Sequence, residues 1–308
     1  MSKIVVVGSS MIDFTAYSQR LPKSGETIIG SKFEQGFGGK GANQCVTAAR
    51  LEAATAFVTA LGSDELGQQY IDKLKFEGID VTYAKRKKST NTGAAQITVA
   101  ENGDNNIIIV PGANELLTTE DIDEAAVVIK HSSVLVCQFE TPIITTLHAL
   151  RLKTNNCLSI VNAAPAVANI PPEIFKLADV FCINESEAES ITGIENLTLQ
   201  NVEKAVDKLL QMGCNTIIIT LGSYGAVFAS KENKKVKYIP ADKVKPVDTT
   251  GAGDAFLGAF AYFTAYHANL SMEEIIKRSC KIATQSVLKA GTQMSFPRKK
   301  DLPANLFL

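Results

Sequence analysis

The chain has 308 residues, of which 45% are hydrophobic and 20% are charged, and its formal net charge is −1. The near-zero charge argues against the broad basic surface that nucleic acids or anionic membranes attract, and no apolar run reaches the roughly 20 residues of a membrane helix. This length and composition are ordinary for one globular α/β domain, which we expect to span residues 1–308.

The cysteines predict a reducing compartment. Six of them are scattered through apolar segments, and none forms a CxxC pair. They are Cys45, Cys137, Cys157, Cys182, Cys214 and Cys280. This pattern favours buried, reduced thiols over a zinc site or a disulfide framework. Because the first residues run directly into the apolar stretch 4–7, too short for a secretory signal, we expect a cytoplasmic protein, with the nucleus as a further compartment open to it.

The first third of the chain predicts two different sheets. Ile4–Val7 is a continuous apolar run, typical of a strand buried on both faces. The segment 14–35 is polar, with a turn at 21–25, and predicts short strands outside that sheet. Residues 93–110 predict a hairpin whose strands are joined by 101–105. We expect the two polar segments to pair as a small second sheet.

A glycine-rich segment, Gly36–Asn43, precedes an alanine-rich helix. It matches G-x-G-x-x-G in letters, but the buried apolar strand that a dinucleotide site requires does not precede it. Lys40 is followed by Gly41 rather than by Ser or Thr, which excludes a Walker loop. Backbone amides, an ammonium group and the Asn43 carboxamide together suit hydroxyl and phosphate oxygens. The alternative is a flexible linker that leads into the helix.

The rest of the chain alternates between strands and helices, which predicts a parallel sheet covered on both faces. The predicted strands after the first are 56–61, 134–138, 158–162, 180–183 and 216–221. The predicted helices are 66–76, 121–130, 142–152, 185–192 and 199–212. Such sheets bind ligands at the carboxyl ends of their strands. Polar residues at these ends therefore predict a ligand site, and they are Asp13, Glu140, Asn162, Asn184 and Thr220.

Two segments that follow strands are open to two interpretations each. Acidic residues between Asn184 and Glu189 complement a helix dipole, which explains most of them structurally. Asn184 and Glu187 also suit a magnesium ion held through water. The segment Thr220–Gly225 carries two glycines, as a nucleotide-contact loop would, and a plain β-turn is equally simple.

The segment Val247–Phe256 carries the strongest prediction of chemistry. Gly251–Gly253 lies directly ahead of an uncharged apolar run, Ala255–Tyr266, that predicts a buried helix. A glycine turn at a helix start leaves N–H groups unpaired at the positive end of the dipole, where anions bind. Asp254 in this place suits a base that accepts a hydroxyl proton as the oxygen attacks phosphorus. The alternative is that Asp254 only caps the helix.

Three segments resemble the signatures of the PfkB carbohydrate kinases. They are Gly38-Gly39-Lys40-Gly41-Ala42-Asn43, Asn184-Glu185-Ser186-Glu187 and Asp248-Thr249-Thr250-Gly251-Ala252-Gly253-Asp254. With Asp13 and the Gly291-Thr292-Gln293 stretch, the likeness runs from about residue 4 to residue 303. The resemblance implies an αβα sandwich with a central, mostly parallel sheet and a small β-sheet lid over the ligand. It also implies transfer of the ATP γ-phosphoryl group to the 5-hydroxyl of D-ribose.

The resemblance assigns roles by position. Asp254 is the base, and the anion hole is formed by Gly251, Ala252 and Gly253. The sugar contacts are Met11, Ile12, Asp13, Gly39, Lys40, Gly41, Ala42, Asn43 and Glu140. The nucleotide contacts are Asn184, Glu187, Thr220, Leu221, Gly222, Ser223, Tyr224, Gly225, Gly253 and Cys280. ATP brings Mg²⁺, and an activating K⁺ ion is implied at Asp248, Thr250, Ser286, Lys289, Gly291 and Ser295.

Several points stay open at this level. Met11 stands where bacterial members of the family carry an Asn that helps to bind the sugar, and Cys280 stands where a His or Asn borders the adenine. Asp248 and Thr249 also suit a simple Asx turn. A phosphofructokinase, a nucleoside kinase or a non-catalytic sugar- or nucleotide-binding regulator are the rival functions. Because lids expose apolar edges, we expect two lids to pair in a homodimer.

Overall fold

The computed structural model describes residues 3–308. In that part of the chain the strands are β1 (Ile4–Val7), β2 (Met11–Ser18), β3 (Lys32–Gly38), β4 (Thr55–Gly62), β5 (Ala84–Lys87), β6 (Gly93–Ala100), β7 (Asn105–Val110), β8 (Val134–Cys137), β9 (Leu158–Asn162), β10 (Val180–Asn184), β11 (Thr216–Thr220), β12 (Ala226–Ser230) and β13 (Lys237–Ile239). The helices are α1 (Lys40–Arg50), α2 (Glu65–Phe76), α3 (Thr119–Glu124), α4 (Ala126–His131), α5 (Ile143–Leu152), α6 (Pro172–Leu177), α7 (Glu185–Thr192), α8 (Val202–Met212), α9 (Ala252–Tyr266) and α10 (Met272–Ser286).

The large sheet has nine strands in the order β13-β12-β11-β10-β9-β8-β1-β4-β5. Neighbouring strands from β5 to β11 are parallel, and β12 and β13 add an antiparallel edge. The parallel sheet predicted from the alternation of strands and helices is therefore confirmed. Its parallel strands end on one edge, and the site described below lies there.

Two apolar layers cover the two faces of this sheet. Val5 and Val7 face one layer, whereas Ile4 and Val6 face the other, because successive side chains of a strand alternate. The second layer contains α1, α9 and α10. Helix α9 approaches α1 closely at Gly258, where a β-carbon would lie 2.5 Å from the Gln44 carbonyl oxygen. This contact brings the start of α9 to the start of α1.

The small sheet that we expected from two polar segments is present. Its strand order is β3-β2-β6-β7, with β2 and β6 parallel and the outer pairs antiparallel. Its limits differ from the prediction, because β2 begins at Met11, β3 continues to Gly38, and residues 19–31 form no strand. The expected glycine-rich loop is therefore divided between two elements, since its first three residues end β3 and pair with Met11–Asp13, and its last four begin α1.

Other boundaries also differ. The predicted helix 121–130 is interrupted at Ala125, whose amide bonds to the carbonyl of Ile122 in a tighter turn and divides α3 from α4. The predicted helix 199–212 begins at Val202, because the Asn201 side chain accepts the Thr198 amide in a local turn. All six cysteines are free and buried, as predicted. Among the described residues no helix is long and apolar enough to cross a membrane.

Candidate active site

The turn before α9 presents backbone amides to an open space. Gly251 has φ +78°, and a β-carbon there would lie 2.7 Å from Thr292 Cγ2, so only glycine fits this turn. Among the described residues the amides of Gly253 and Asp254 donate to no protein acceptor, and no side chain caps the helix. A β-carbon on Gly253 would meet no atom within 4 Å. The predicted anion-binding geometry is thus available at this helix start.

The Asp254 carboxylate does not cap α9. It is only 8% exposed, and its oxygens are held by two side chains from the first turn of α1. Asn43 Nδ2 donates to Oδ2 at 2.9 Å, and Gln44 Nε2 donates to Oδ1 at 2.9 Å. The capping interpretation is therefore wrong, because Gly251 occupies the cap position and the carboxylate faces α1.

Acidic side chains and Lys40 gather beside Asp254. Burial, followed by the nearby charges of Glu140 and Asp254, raises the pKa of Asp13 to about 6. Burial alone lowers the pKa of Lys40, but Asp254, Glu140 and Glu187 outweigh it, and the net shift of this pKa is upward. The ammonium group is therefore retained as the counter-charge of this cluster.

Glu140 ties the glycine motif to the first strand. Its Oε2 accepts the Lys40 amide at 2.8 Å and the Ser9 hydroxyl at 2.5 Å. A β-carbon on Gly41 would lie 2.6 Å from the Ser9 amide nitrogen, and one on Gly38 would lie 2.3 Å from Asp13 Oδ2. The motif glycines permit this close packing. The flexible-linker interpretation is therefore wrong, since the backbone is held on both sides.

The remaining residues of the predicted sugar set lie near the junction of β3 and α1. Met11 and Ile12 are buried at the start of β2, and Ala42 is buried with its amide bonded to the Ser9 carbonyl. Gly39 has φ +90°, and a β-carbon there would lie 2.9 Å from the Met11 amide nitrogen. These residues shape the backbone of the site.

Asn184 and Glu187 form a capping box at the start of α7. Asn184 Oδ1 accepts the Glu187 amide, and Glu187 Oε2 accepts the Asn184 amide, each at 2.9 Å. Burial raises the pKa of Glu187; the Asn184 amide and Lys40 oppose this effect, and the charges of Asp254 and Glu185 add to it. The structural interpretation of both residues thus holds, and a role with Mg²⁺ stays a prediction.

A cavity of about 170 Å³ joins the three motifs at the edge of the large sheet. Its lining includes Lys40, Asn162, Ala164, Asn184, Glu187, Thr220, Thr249, Gly251, Ala252, Gly253 and Asp254. A larger groove of about 460 Å³ lies near Thr55 and Val127, but it contains none of the predicted site residues. The small cavity is therefore the candidate active site.

Some predicted nucleotide contacts lie away from this cavity. In the loop after β11 only Thr220 lines it, Leu221 is buried, and Gly222–Tyr224 forms a single 3₁₀ turn. Ser223 and Tyr224 are exposed, and Gly225 packs so closely on β13 that a β-carbon would lie 2.1 Å from the Ile239 carbonyl oxygen. Cys280 is buried in α10 and is not part of the cavity lining. Nucleotide contacts at these positions remain predictions.

Asp248 joins the two chain segments that carry the predicted potassium site, the one before α9 and the one after α10. Its Oδ1 accepts the Thr250 amide and its Oδ2 accepts the Gly291 amide, both at 2.9 Å. Burial alone raises the pKa of Asp248, but hydrogen bonds from Thr250 and Gly291 lower it by more. The net shift of this pKa is therefore downward. The Asx turn is thus present, and the Asp248 side chain also bonds Gly291 in the segment after α10. Ser286 and Ser295 are buried and donate their hydroxyls to local carbonyls, while Lys289 is exposed.

Sequence reasoning missed four buried polar residues that support the site. Gln44, Gln138, Gln293 and Tyr70 are each at most 4% exposed. Gln44 carried a signal, because it is a large amide in an otherwise small and apolar helix directly after the predicted Asn43. Gln293 was part of the Gly291-Thr292-Gln293 stretch that resembles the family, but it was given no role. Gln138 and Tyr70 had no signal, since their partners are far away in the chain.

Comparison with known proteins agrees with this geometry. A family model described as pfkB family carbohydrate kinase matches residues 1–299. The chain is 47% identical to a ribokinase of Mus musculus, over 99% of this chain and 94% of that protein. It is 37% identical to a deoxyribokinase of Salmonella typhi, over 96% and 95%.

Solved structures show the same fold. A ribokinase from Thermotoga maritima superposes with a TM-score of 0.87 at 38% identity, over 98% of both chains. An Arabidopsis thaliana ribokinase complexed with ribose and ATP superposes with a TM-score of 0.85 at 29% identity, over 97% of both chains. The large, mostly parallel sheet and the small sheet are thus those of these structures.

Proposed function

Because the chain belongs to the pfkB family of carbohydrate kinases, we propose that it transfers the γ-phosphoryl group of ATP to the 5-hydroxyl of D-ribose. One observation carries the proposal. A buried carboxylate, Asp254, lies in one cavity with Lys40 and with the open amides of Gly253 and Asp254 itself. A base, a cation and an anion hole are the parts that phosphoryl transfer to an alcohol requires.

In the proposed reaction the sugar hydroxyl donates a hydrogen bond to Asp254. As the hydroxyl oxygen forms its bond to the γ-phosphorus, its proton passes to the carboxylate, and the bond to the ADP oxygen breaks. The γ-phosphoryl oxygens bind the amides of the Gly251–Asp254 turn, which are already oriented before the reaction. Preorganised donors of this kind stabilise the charge of the transition state.

The sugar is recognised by groups that need hydroxyl partners. Asp13, on β2 of the small sheet, lies near the charges of Glu140 and Asp254, and Asn43 bonds Asp254. A sugar that lacks a matching hydroxyl would leave such groups unpaired, and discrimination at sites of this kind reaches about 10⁴. Closure of the small sheet would then exclude water from the phosphoryl group.

Magnesium would bind beside Asn184 and Glu187. The single side-chain oxygen of Asn184 already accepts the Glu187 amide and the Ser186 hydroxyl, and Glu187 Oε2 accepts the Asn184 amide, so these residues suit an ion that keeps most of its water. When bound, Mg²⁺ would neutralise the charge on the β- and γ-phosphates. The chain's own contribution is the carboxylate of Glu187, whose Oε1 is outside the capping box, in the lining of the cavity.

Potassium would bind between the Asp248 and Gly291 segments. The carboxylate there is ionised, and the hydroxyls of Ser286 and Ser295 donate to carbonyls, which leaves their oxygen lone pairs free. Carbonyls, hydroxyls and one carboxylate form a hard-oxygen set of low charge, which suits a monovalent ion. The ion would steady the turn that carries the open amides.

We also propose a homodimer through the small sheet. The edge strand β7 exposes Ile107, Ile108, Ile109 and Val110, which are 48–67% accessible. Phe33, on the other edge strand, is 63% accessible. An exposed, apolar edge strand favours pairing with another sheet, and a second copy of the same lid buries both edges.

A coupled assay of ADP release tests the substrate. We expect ribose to be phosphorylated well above fructose, and adenosine not at all. Identity to a deoxyribokinase, together with the apolar Met11 at the sugar loop, favours 2-deoxyribose as a second substrate. Efficient turnover of adenosine, or none of either pentose, would refute the proposal.

A further inference from the structure

Gln44 is engaged on both ends of its side chain. It is 1% exposed and is the residue after Asn43 near the start of α1. Its Nε2 donates to Asp254 Oδ1 at 2.9 Å and to Asn162 Oδ1 at 3.1 Å. Its Oε1 accepts the Gln138 amide at 2.7 Å. The hydrogen-bonding groups of this amide are therefore committed to buried partners.

These partners also set the direction of the amide. Asn162 donates its own Nδ2 to the Cys182 carbonyl at 3.2 Å, so its oxygen faces Gln44. The opposite orientation of Gln44 would place its oxygen against two acceptors, Asn162 Oδ1 and the Asp254 carboxylate. Gln44 must therefore turn its donor toward Asp254, and the Gln138 Nε2 group then holds the Gln44 oxygen on the other side. Gly8 makes room for the arrangement, since a β-carbon there would lie 1.9 Å from Gln138 Oε1.

We propose that Gln44, held by Gln138 and Asn162, is a positioning residue that aims the Asp254 carboxylate at the acceptor hydroxyl. This inference rests on the proposed function of Asp254. Asn43 also bonds the carboxylate, but it belongs to the predicted sugar contacts, whereas Gln44 does not and is not part of the cavity lining. Each oxygen of the carboxylate accepts one amide, which restrains its rotation and leaves further lone pairs for a ligand in the cavity that Asp254 lines.

The charged groups near this point do not replace Gln44. The charge of Asp254 shifts the pKa values of Asp13, Lys40 and Glu187, but among the described residues none of these three bonds to Gln44. Glu140 is bound instead to Ser9 and to the Lys40 amide. The Gln44 amide restrains one oxygen of the carboxylate directly. Its loss therefore affects the aim of the base.

The test is Gln44→Met, which keeps the volume and removes the donor. We expect kcat to fall about 10- to 100-fold, as misplacement of a reacting group does. The KM values for sugar and ATP should stay within about threefold, so that the loss falls on kcat. The matched control is Val46→Ala, a buried change on the same helix, which should lower Tm and leave kcat unaltered. Unchanged kcat in Gln44→Met, or an equal loss in both variants, would overturn the inference.

A second variant keeps the test decisive if Gln44→Met does not fold. Gln138→Met leaves Gln44 in place but frees its orientation, and kcat should fall about 3- to 10-fold; an unaltered kcat in this variant would contradict the inference. The double variant should lose no more than Gln44→Met alone, because both act on one carboxylate. Asp254→Asn is measured in parallel. If that variant keeps its kcat, the assignment of the base fails; if it loses activity while Gln44→Met does not, only the positioning role fails.

Discussion

Gln293 donates its Nε2 to Asn43 Oδ1 at 3.1 Å, although the two residues are 250 positions apart in the chain. The same Nε2 donates to the Tyr70 hydroxyl, which in turn donates to the Gly38 carbonyl at 2.5 Å. Because its oxygen is occupied, Asn43 turns its NH₂ group toward Asp254. The end of β3 and the Asp254 carboxylate are therefore joined by one buried network of hydrogen bonds.

Asp254→Asn should abolish most activity without abolishing sugar binding. A positioned base contributes about 10²–10⁴ in rate, or roughly 3–5 kcal/mol of barrier. Asparagine keeps the size of the side chain but cannot accept the hydroxyl proton. Steady-state kinetics and calorimetric titration with ribose measure the two effects separately. A variant with near-normal kcat would contradict the assignment of Asp254 as base.

Asp13→Asn should stabilise the protein without ligand at neutral pH. The folded-state pKa of Asp13 is raised to about 6 from 3.8, so folding favours its protonated form. That stabilisation is complete below about pH 4 and is lost as pH rises through 6. Removal of the buried charge should therefore increase the free energy of unfolding by up to about 3 kcal/mol at pH 8 and by little at pH 4.

Urea denaturation at the two pH values measures this difference. Asp207→Asn is the control, because Asp207 is exposed on α8 and should show no such dependence. The same Asp13 variant should bind sugar poorly. A gain in stability that is equal at both pH values would show that burial of the Asp13 charge is not its cause.

Potassium should activate the enzyme severalfold over sodium at matched ionic strength and saturating Mg²⁺. The proposed ion steadies the turn whose amides hold the phosphoryl group, and loss of one such donor lowers the rate by about 10²–10³. Asp248→Ala should abolish the difference between the salts, because it removes the carboxylate that joins Thr250 to Gly291. Equal rates in KCl and NaCl would leave Asp248 as a turn residue only.

Ile108→Lys should convert a dimer into a monomer. Ile108 is 67% exposed on the edge strand of the small sheet, where a second lid would cover it. Light scattering at micromolar concentration measures the mass directly. Val127→Lys is the control, since Val127 is 63% exposed but lies on α4, away from the lid. A monomeric mass for the unmodified protein would exclude the dimer and leave the lid unaffected.

Local sequence determined the parts of the molecule that depend on neighbours in the chain. Ile4–Val7 and Glu185–Thr192 have the limits that the sequence predicted, because an apolar run and a capping box are short-range signals. The glycine turn before α9 was also predicted from local sequence. Gly251 must adopt a positive φ there, and its neighbours place Asp254 on the first helical turn.

Only the tertiary structure decided what holds the base. Asp254 meets Asn43 and Gln44 across more than 200 residues, because Gly258 lets α9 pack against α1. A single amide in a sequence does not indicate its partner, since many folds could bury it equally well. Hydrogen bonds between distant side chains follow from the packing of whole elements, and this is the physical reason that the contacts of Gln44, Gln138 and Gln293 were not predicted.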